Sequence, residues 1–259
     1  MFENRVFVSF DEPCHFQCKH CYTYAIKRNQ IRSMEEIVNS ISEKEFDIIY
    51  VSQKTDNFSN PNRGLELCEK LFSKYKKDLF VITRSVFDDK EIDRMRTLKE
   101  SMNLQSKDLY VAISINSFDS NYICEDVNRV STPEKRLEFI KKLSNLGFKP
   151  ILMLRPVFPN HIIPVNECLQ IINLCASYVS CVVASELGIN DDILKRLNLS
   201  KSDFHFLANH EYLQGAIDCE IEFVDVREEL RIIQKECEKL NCHFFTHSMP
   251  ALNYLISKD

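Results

Sequence analysis

Glycine is scarce: four in 259 residues, at Gly64, Gly147, Gly188 and Gly215. A dinucleotide-binding G-x-G-x-x-G or a Walker loop cannot be assembled from them, because each needs closely spaced glycines to bring backbone against phosphate. Two large cofactor classes are thereby excluded. No apolar run reaches the roughly 20 residues of a membrane span. Charge of one sign does not dominate either: 33 Lys plus Arg stand against 38 Asp plus Glu, a formal net charge of −5. A polybasic nucleic-acid arm is therefore excluded as the main binding device, though a local basic groove is not. Linkers and low-complexity segments are also missing. Met1–Arg5 is polar and leads at once into a strand, so no signal peptide is expected and the cytoplasm is the expected compartment.

With 44% hydrophobic residues, the chain can bury a full core. Apolar, β-rich runs recur at Arg5–Phe10, Phe46–Ser52, Leu79–Thr83, Leu109–Ile115, Pro150–Leu154 and Val179–Ala184, with weaker ones at Glu220–Val226 and His243–Thr246. Most are continuous rather than alternating, the pattern of parallel strands buried on both faces. Helical patterns lie between them. Ser33 with Glu36 reads as a capping box, Asn60-Pro61 and Thr132-Pro133 as helix starts with proline at the first position, and Gly147 as a left-handed stop after Lys135–Asn145. Strand and helix in repeated alternation predict an α/β fold, a (β/α) barrel or partial barrel of parallel strands. One domain over residues 1–259 is expected, with 1–190 as the core repeats and 191–259 as an extension completing it. In such a fold, function gathers in the loops at the C-terminal ends of the strands.

Eleven cysteines are present, an odd number without the spacing of a secreted disulfide framework, so free thiols in a reducing compartment are expected. Three of them, Cys14, Cys18 and Cys21, stand at C-x3-C-x2-C in the loop after the first strand. Three thiolates fit three corners of a cubane iron–sulfur cluster and leave one iron open to an exogenous ligand. A structural zinc site with His15 or His20 as fourth ligand is the alternative, although zinc knuckles usually pair C-x2-C with a distant second pair. Cys68, Cys124, Cys168, Cys175, Cys181, Cys219 and Cys237 are scattered and read as small core residues. Cys242, His243 and His247 lack a partner pair at ligand spacing.

The cysteine loop on a βα-repeat chain resembles the radical SAM superfamily. That resemblance implies a [4Fe–4S] cluster held by Cys14, Cys18 and Cys21. It implies that S-adenosylmethionine chelates the open iron, is cleaved by one electron, and yields a 5′-deoxyadenosyl radical that abstracts a substrate hydrogen. A ferredoxin or flavodoxin is the implied electron donor. Thr55–Phe58, Thr83-Arg84-Ser85, Ser114-Ile115-Asn116 and Thr132–Leu137 are similar to the subgroup containing the spore photoproduct lyases. There the likeness implies that Arg84 meets the cofactor carboxylate and that Ser114, with Asn116 close by, touches the cofactor. The guanidinium suits a bidentate carboxylate contact. His20, Ser52, Asp56 and Arg155 complete the expected cofactor contacts.

The sequence also departs from that pattern. Ser52–Asp56 replaces the usual Gly-Gly-Glu element, so Asp56 or a main-chain carbonyl near Ser52 is expected to serve the amino group. His20 stands where most members place an aromatic residue. Ser52 or Gln53 replaces the hydrogen-donor cysteine of the photoproduct lyases, Tyr22 lacks its paired tyrosine, and an N-terminal extension is not expected, all of which disfavour DNA repair.

The strand ends are acidic or polar. Glu12, Tyr22, Glu186 and Asp225 are the expected substrate contacts, suiting a small, hydrogen-bond-rich, cationic or nucleobase-like ligand. The chain looks like the small radical SAM enzymes that include the queuine lyases, which implies C–N bond scission on a 7-deazaguanine base. Two other readings stay open. One is nucleic-acid repair or modification within the superfamily, and the other is a non-catalytic iron–sulfur or zinc module.

Overall fold

The computed structural model describes residues 1–25, 30–42, 45–52, 54–119, 122, 125, 128–208 and 221–258. Strands β1 (Arg5–Val8), β2 (Ile48–Val51), β3 (Asp78–Thr83), β4 (Leu109–Ser114), β5 (Ile151–Val157) and β6 (Cys181–Glu186) alternate with α1 (Met34–Asn39), α2 (Pro61–Tyr75), α3 (Asp89–Asn103), α4 (Pro133–Asn145) and α5 (Val165–Cys175). Then come β7 (Gly188–Ile189), α6 (Asp191–Leu197), β8 (Glu222–Phe223), α7 (Arg227–Lys239), β9 (His243–Phe245) and α8 (Ser248–Ile256). Seven strands form one parallel sheet in the order β1-β2-β3-β4-β5-β6-β9. β1 and β9 are its two edges, so the barrel is partial.

Local chemistry accounts for these elements. β2 and β4 are buried along their whole length, as their unbroken apolar runs require. Ser33 and Glu36 form the capping box of α1, while Asn60 and Thr132 cap α2 and α4 with proline in the first turn. Gly147 has φ +79°, the left-handed conformation that lets the chain leave α4.

One expected strand is placed differently. Of the described residues 221–226, Glu222–Phe223 form the strand, and they pair antiparallel with β7 in a separate two-stranded sheet. Glu222 and Asp225 interrupt the apolar run there, and an alternating segment suits a half-exposed antiparallel pair rather than a buried parallel one. At Gly188 a Cβ would stand 2.7 Å from Ile221 Cγ2, so the two chains approach only because that residue is glycine.

The core has two parts. Helices α2 to α5 pack on the outer face of the sheet around Leu67, Leu71, Met95, Ile140 and Ile172. On the inner face Ile48, Tyr50, Phe80, Tyr110 and Met153 meet Ala251, Leu252 and Leu255 of α8, which thus fills the concave side. Leu252 and Leu255 are nearly fully buried, which stabilises the packing by about 1.5–3 kcal/mol each. Asn253 ties α8 to the N-terminus, accepting from the Phe2 amide at 2.6 Å and donating to its carbonyl at 3.1 Å. Cys68, Cys168, Cys175, Cys181 and Cys237 are buried in the core as free thiols. Gln53, Cys124, Gly215, Cys219 and Glu220 lie outside the described residues.

Candidate active site

The loop after β1 is stitched to the loop after β2. Asn57 accepts from the Phe10 amide at 2.9 Å and donates to the Val8 carbonyl at 3.3 Å. The Lys54 amide donates to Ser9 Oγ at 3.0 Å, and Thr55 Oγ1 donates to the Glu12 carbonyl at 2.9 Å. Arg32 grips Asp11 through Nε at 2.7 Å and Nη2 at 2.9 Å. Within the loop Gln17 takes φ +49°, and the Cys21 amide donates to the Cys18 carbonyl at 3.0 Å. Arg196 Nη2, from α6, donates to the Cys21 carbonyl at 2.8 Å. Residues 9–21 are thereby tied to the elements around them.

Cys14, Cys18 and Cys21 line a single cavity of about 350 Å³ inside the strand ends. Cys14 and Cys21 pack against a small apolar cluster of Phe16, Cys18 and Val130. Burial pushes the Cys18 thiol up to about 12, with the Arg84 cation opposing it. Burial also raises Cys14, against hydrogen bonds to its sulfur from the backbone at Asp56 and Phe16. Thiols in so apolar a pocket become thiolates when a metal centre supplies the compensating charge. Among the described residues no three His, Cys, Asp or Glu side chains converge on one point to hold a single metal ion, as a zinc site requires. Each thiolate of a cubane takes its own iron, so three sulfurs sharing one wall fit a [4Fe–4S] cluster better than zinc.

Around these sulfurs lies a buried charge network. Arg84, at the end of β3, donates from Nε to Glu125 at 2.6 Å. Its Nη2 reaches the Arg155 carbonyl at 3.1 Å, Asn116 Oδ1 at 3.3 Å and His20 Nε2 at 3.5 Å. Glu125 is also held by Arg136 of α4, at 2.5 and 3.1 Å, and Arg136 donates to the Ser114 carbonyl at 2.6 Å. Burial opposes the Glu125 charge, but Arg136 and Arg84 outweigh it and hold the carboxyl down at about 2. His20 is pulled down to about 3 by burial first and by Arg84 second, so its ring is neutral. With Nε2 accepting from Arg84 the proton sits on Nδ1, a buried atom without a hydrogen-bond partner beside the cysteines.

Asp56 serves as a fastener. Its carboxylate accepts from the Arg84 amide at 2.8 Å, from Thr83 Oγ1 at 3.0 Å and from the Phe58 amide at 3.0 Å. Burial nevertheless pushes its pKa up to about 6. Ser52 has φ +88°, a left-handed conformation normally left to glycine, and its Oγ accepts from the Asn57 amide at 3.1 Å. A serine pinned in this way stands where the superfamily's glycines were expected.

Of the residues singled out from the sequence, His20, Ser52, Asp56, Arg84, Ser114, Arg155, Tyr22 and Glu186 line the same cavity as the three cysteines. Three others do not. Asn116 stands behind Arg84 and donates to the Pro156 carbonyl at 3.0 Å. Glu12 is turned toward α2, where Arg63 Nη2 meets it at 2.7 Å, and Asp225 is held by Arg227 two residues on, at 2.6 Å. Each of these carboxylates found a nearer cation than a ligand at the mouth, so the cavity wall is less acidic than the strand ends suggested.

Glu125 and Arg136 were not expected. Arg136 had a signal, since it shares the buried stripe of α4 with Ile140 and Leu143. A charge in an apolar stripe needs a buried partner. Glu125 carries no comparable mark. Arg5, Tyr50, His247 and Ser248, also on the cavity wall, were missed as well.

Residues 9–163 match the radical SAM superfamily, and the chain belongs to it. Members use a [4Fe–4S] cluster and S-adenosylmethionine. Among solved structures, Streptococcus suis SuiB bound to S-adenosylmethionine is similar with a TM-score of 0.60 at 11% identity, over 95% of this chain and 51% of that one. SuiB bound to the precursor peptide SuiA gives 0.57 at 11% identity, over 94% of this chain and 48% of that one. At such identity the likeness is one of fold, and the present chain spans about half the length of these proteins. No curated protein matches the sequence. Among the described residues no helix is long and apolar enough to cross a membrane.

Proposed function

We propose that the chain is a radical SAM enzyme that abstracts a hydrogen atom from a small molecule held in the cavity beneath the cysteine loop. What supports this most is that Cys14, Cys18, Cys21, Arg84 and Ser114 line one cavity. The three cysteines would hold the cluster. Bound cluster and S-adenosylmethionine together supply one-electron, hydrogen-abstracting chemistry, driven by a reductant such as flavodoxin or ferredoxin. The protein's own work is positioning and exclusion of water. Arg84 offers a cation fixed by Glu125, Ser52 and Ser114 offer hydroxyl and carbonyl groups, and neutral His20 offers a flat apolar face beside the cysteines.

The finer reading is lyase chemistry, C–N scission on a 7-deazaguanine base such as queuine. It is supported by Glu186, a carboxylate on the wall suited to the amidine-like edge of a guanine. The test is anaerobic turnover of the iron- and sulfide-reconstituted protein with S-adenosylmethionine, dithionite and a panel of 7-deazapurines. Release of the free 7-deazaguanine, matched by 5′-deoxyadenosine, is expected by mass spectrometry. Deoxyadenosine formation that no panel member accelerates would remove the 7-deazaguanine reading. A colourless protein retaining zinc would remove the enzyme reading altogether.

A further inference from the structure

The floor of the cavity, where Tyr50, Arg155 and the start of α8 meet, carries polar groups that the reading above leaves unused. Tyr50 projects from β2 onto the inner face, 4% exposed, and its hydroxyl is buried without a hydrogen-bond partner. Arg155, closing β5, presents a buried Nε that also has none, while its Nη2 donates to the Thr246 carbonyl at 2.8 Å and stands 3.4 Å from His247 Nδ1. Helix α8 begins at the same wall. Its N-cap, His247, makes no side-chain capping bond, and both His247 and Ser248 line the cavity. The first amides of α8 are thus uncapped at a site where the helix dipole favours negative charge. Arg5 of β1 completes the wall, its guanidinium 5.1 Å from the centroid of the Tyr50 ring. Burial raises the Tyr50 phenol above its ordinary value, and Ser248 and Arg5 stand close enough to pull it back.

These groups share one property, since all can donate to an oxyanion. Two guanidinium groups, a phenol, a hydroxyl and a helix N-terminus share the cavity with Glu186; burial lowers the Arg155 pKa, and the Glu186 charge opposes that shift. Buried donors without partners are rare in folded proteins, because each has lost its water without gaining a bond. Here two of them, from β2 and β5, line one cavity together with Arg5 and the start of α8.

We infer that this floor is an oxyanion site, in which Arg155, Tyr50, Ser248 and the N-terminus of α8 anchor a carboxylate or phosphate group of the substrate. Calling the ligand a substrate rests on the proposed function; the anion site itself does not. An anchor at the floor would hold the remainder of the molecule toward the cysteine loop, turning remote binding energy into orientation. Queuine itself has no such group. A nucleotide form of the base would satisfy Glu186 and the floor together.

The test uses the full-length, cluster-reconstituted protein with saturating S-adenosylmethionine, at constant ionic strength. Inorganic phosphate and benzoate are titrated as probes, with chloride as control, and the thermal midpoint is followed. A saturable rise with phosphate assigns the site to phosphate, and a rise with benzoate assigns it to carboxylate. In either case Tyr50→Phe and Arg155→Met are expected to weaken the apparent affinity roughly tenfold or more. No saturable rise with either probe, or undiminished affinity in both variants, overturns the inference. So does a rise seen only in a parallel titration without S-adenosylmethionine, since the floor would then belong to the cofactor. If Arg155→Met does not fold, Tyr50→Phe carries the test, because it removes one hydroxyl and keeps the ring. Anion binding that persists in a protein unable to cleave S-adenosylmethionine would sink the proposed function and leave the site standing.

Discussion

Arg84 and Arg155 close β3 and β5 of the same sheet and touch each other, Nη2 of the first donating to the carbonyl of the second at 3.1 Å. Yet they are placed in opposite ways. Arg84 spends Nε on Glu125, which is itself shared with the buried Arg136. Arg155 faces the floor with its Nε unsatisfied, beside a phenol in the same condition. A buried arginine that already has its carboxylate is fixed in place and presents a positioned cation. One whose donors are left over is available to a ligand. The floor thus keeps donors, Tyr50 Oη and Arg155 Nε, that the protein itself leaves unpaired.

The comparison can be broken most sharply at Glu125. Glu125→Ala leaves two guanidinium groups buried and facing each other, and a loss of about 3–5 kcal/mol is expected in guanidinium chloride unfolding. A loss below about 1 kcal/mol would mean that the network is ornamental. Acid titration probes the same group. Because the Glu125 carboxyl is held at about 2 in the fold, below an ordinary value of about 4.3, its contribution is complete above the ordinary value. It is lost as pH falls through that window. Glu125→Gln should lack this part of the acid transition.

Asp56 ranks next. Asp56→Ala strands the amides of Arg84 and Phe58 and the Thr83 hydroxyl, and about 1–3 kcal/mol should be lost in the same assay. Arg155→Met is the counterpart at the floor and the smallest expected effect. Since Nε has no protein partner and Nη2 gives up the Thr246 carbonyl but no carboxylate, stability should change by about 1 kcal/mol, in contrast to Glu125→Ala. A loss approaching that of Glu125→Ala would show that Arg155 is fixed in the same way and would erase the difference between the two arginines.

Much of this molecule was legible in its sequence, and the rest was hidden for definite reasons. Strands such as Leu109–Ser114 announce themselves because a parallel strand covered on both faces must be apolar throughout. Capping boxes are local, so Ser33 with Glu36 could be read directly. The cysteine loop was legible because its C-x3-C-x2-C spacing is local and stands out whatever the fold around it. What escaped depends on three-dimensional neighbours. Glu12 and Asp225 lie near strand ends as expected, but Arg63 and Arg227 draw them off the cavity. Glu125 gains its meaning only from two arginines, one 41 and the other 11 positions away. The floor was missed because α8, with Ser248 and His247 at its start, returns to the inner face of a sheet whose first strand is nearly the whole chain away.

The central claim is that Cys14, Cys18 and Cys21 make this cavity a site of S-adenosylmethionine cleavage. It is tested most directly by the 5′-deoxyadenosine that reconstituted protein forms from S-adenosylmethionine and dithionite under anaerobic conditions, measured by mass spectrometry beside Cys18→Ala. Deoxyadenosine from the native protein and only background from the variant is the predicted result. Equal amounts from both, or none from a native protein shown to carry its iron and sulfide, would contradict it.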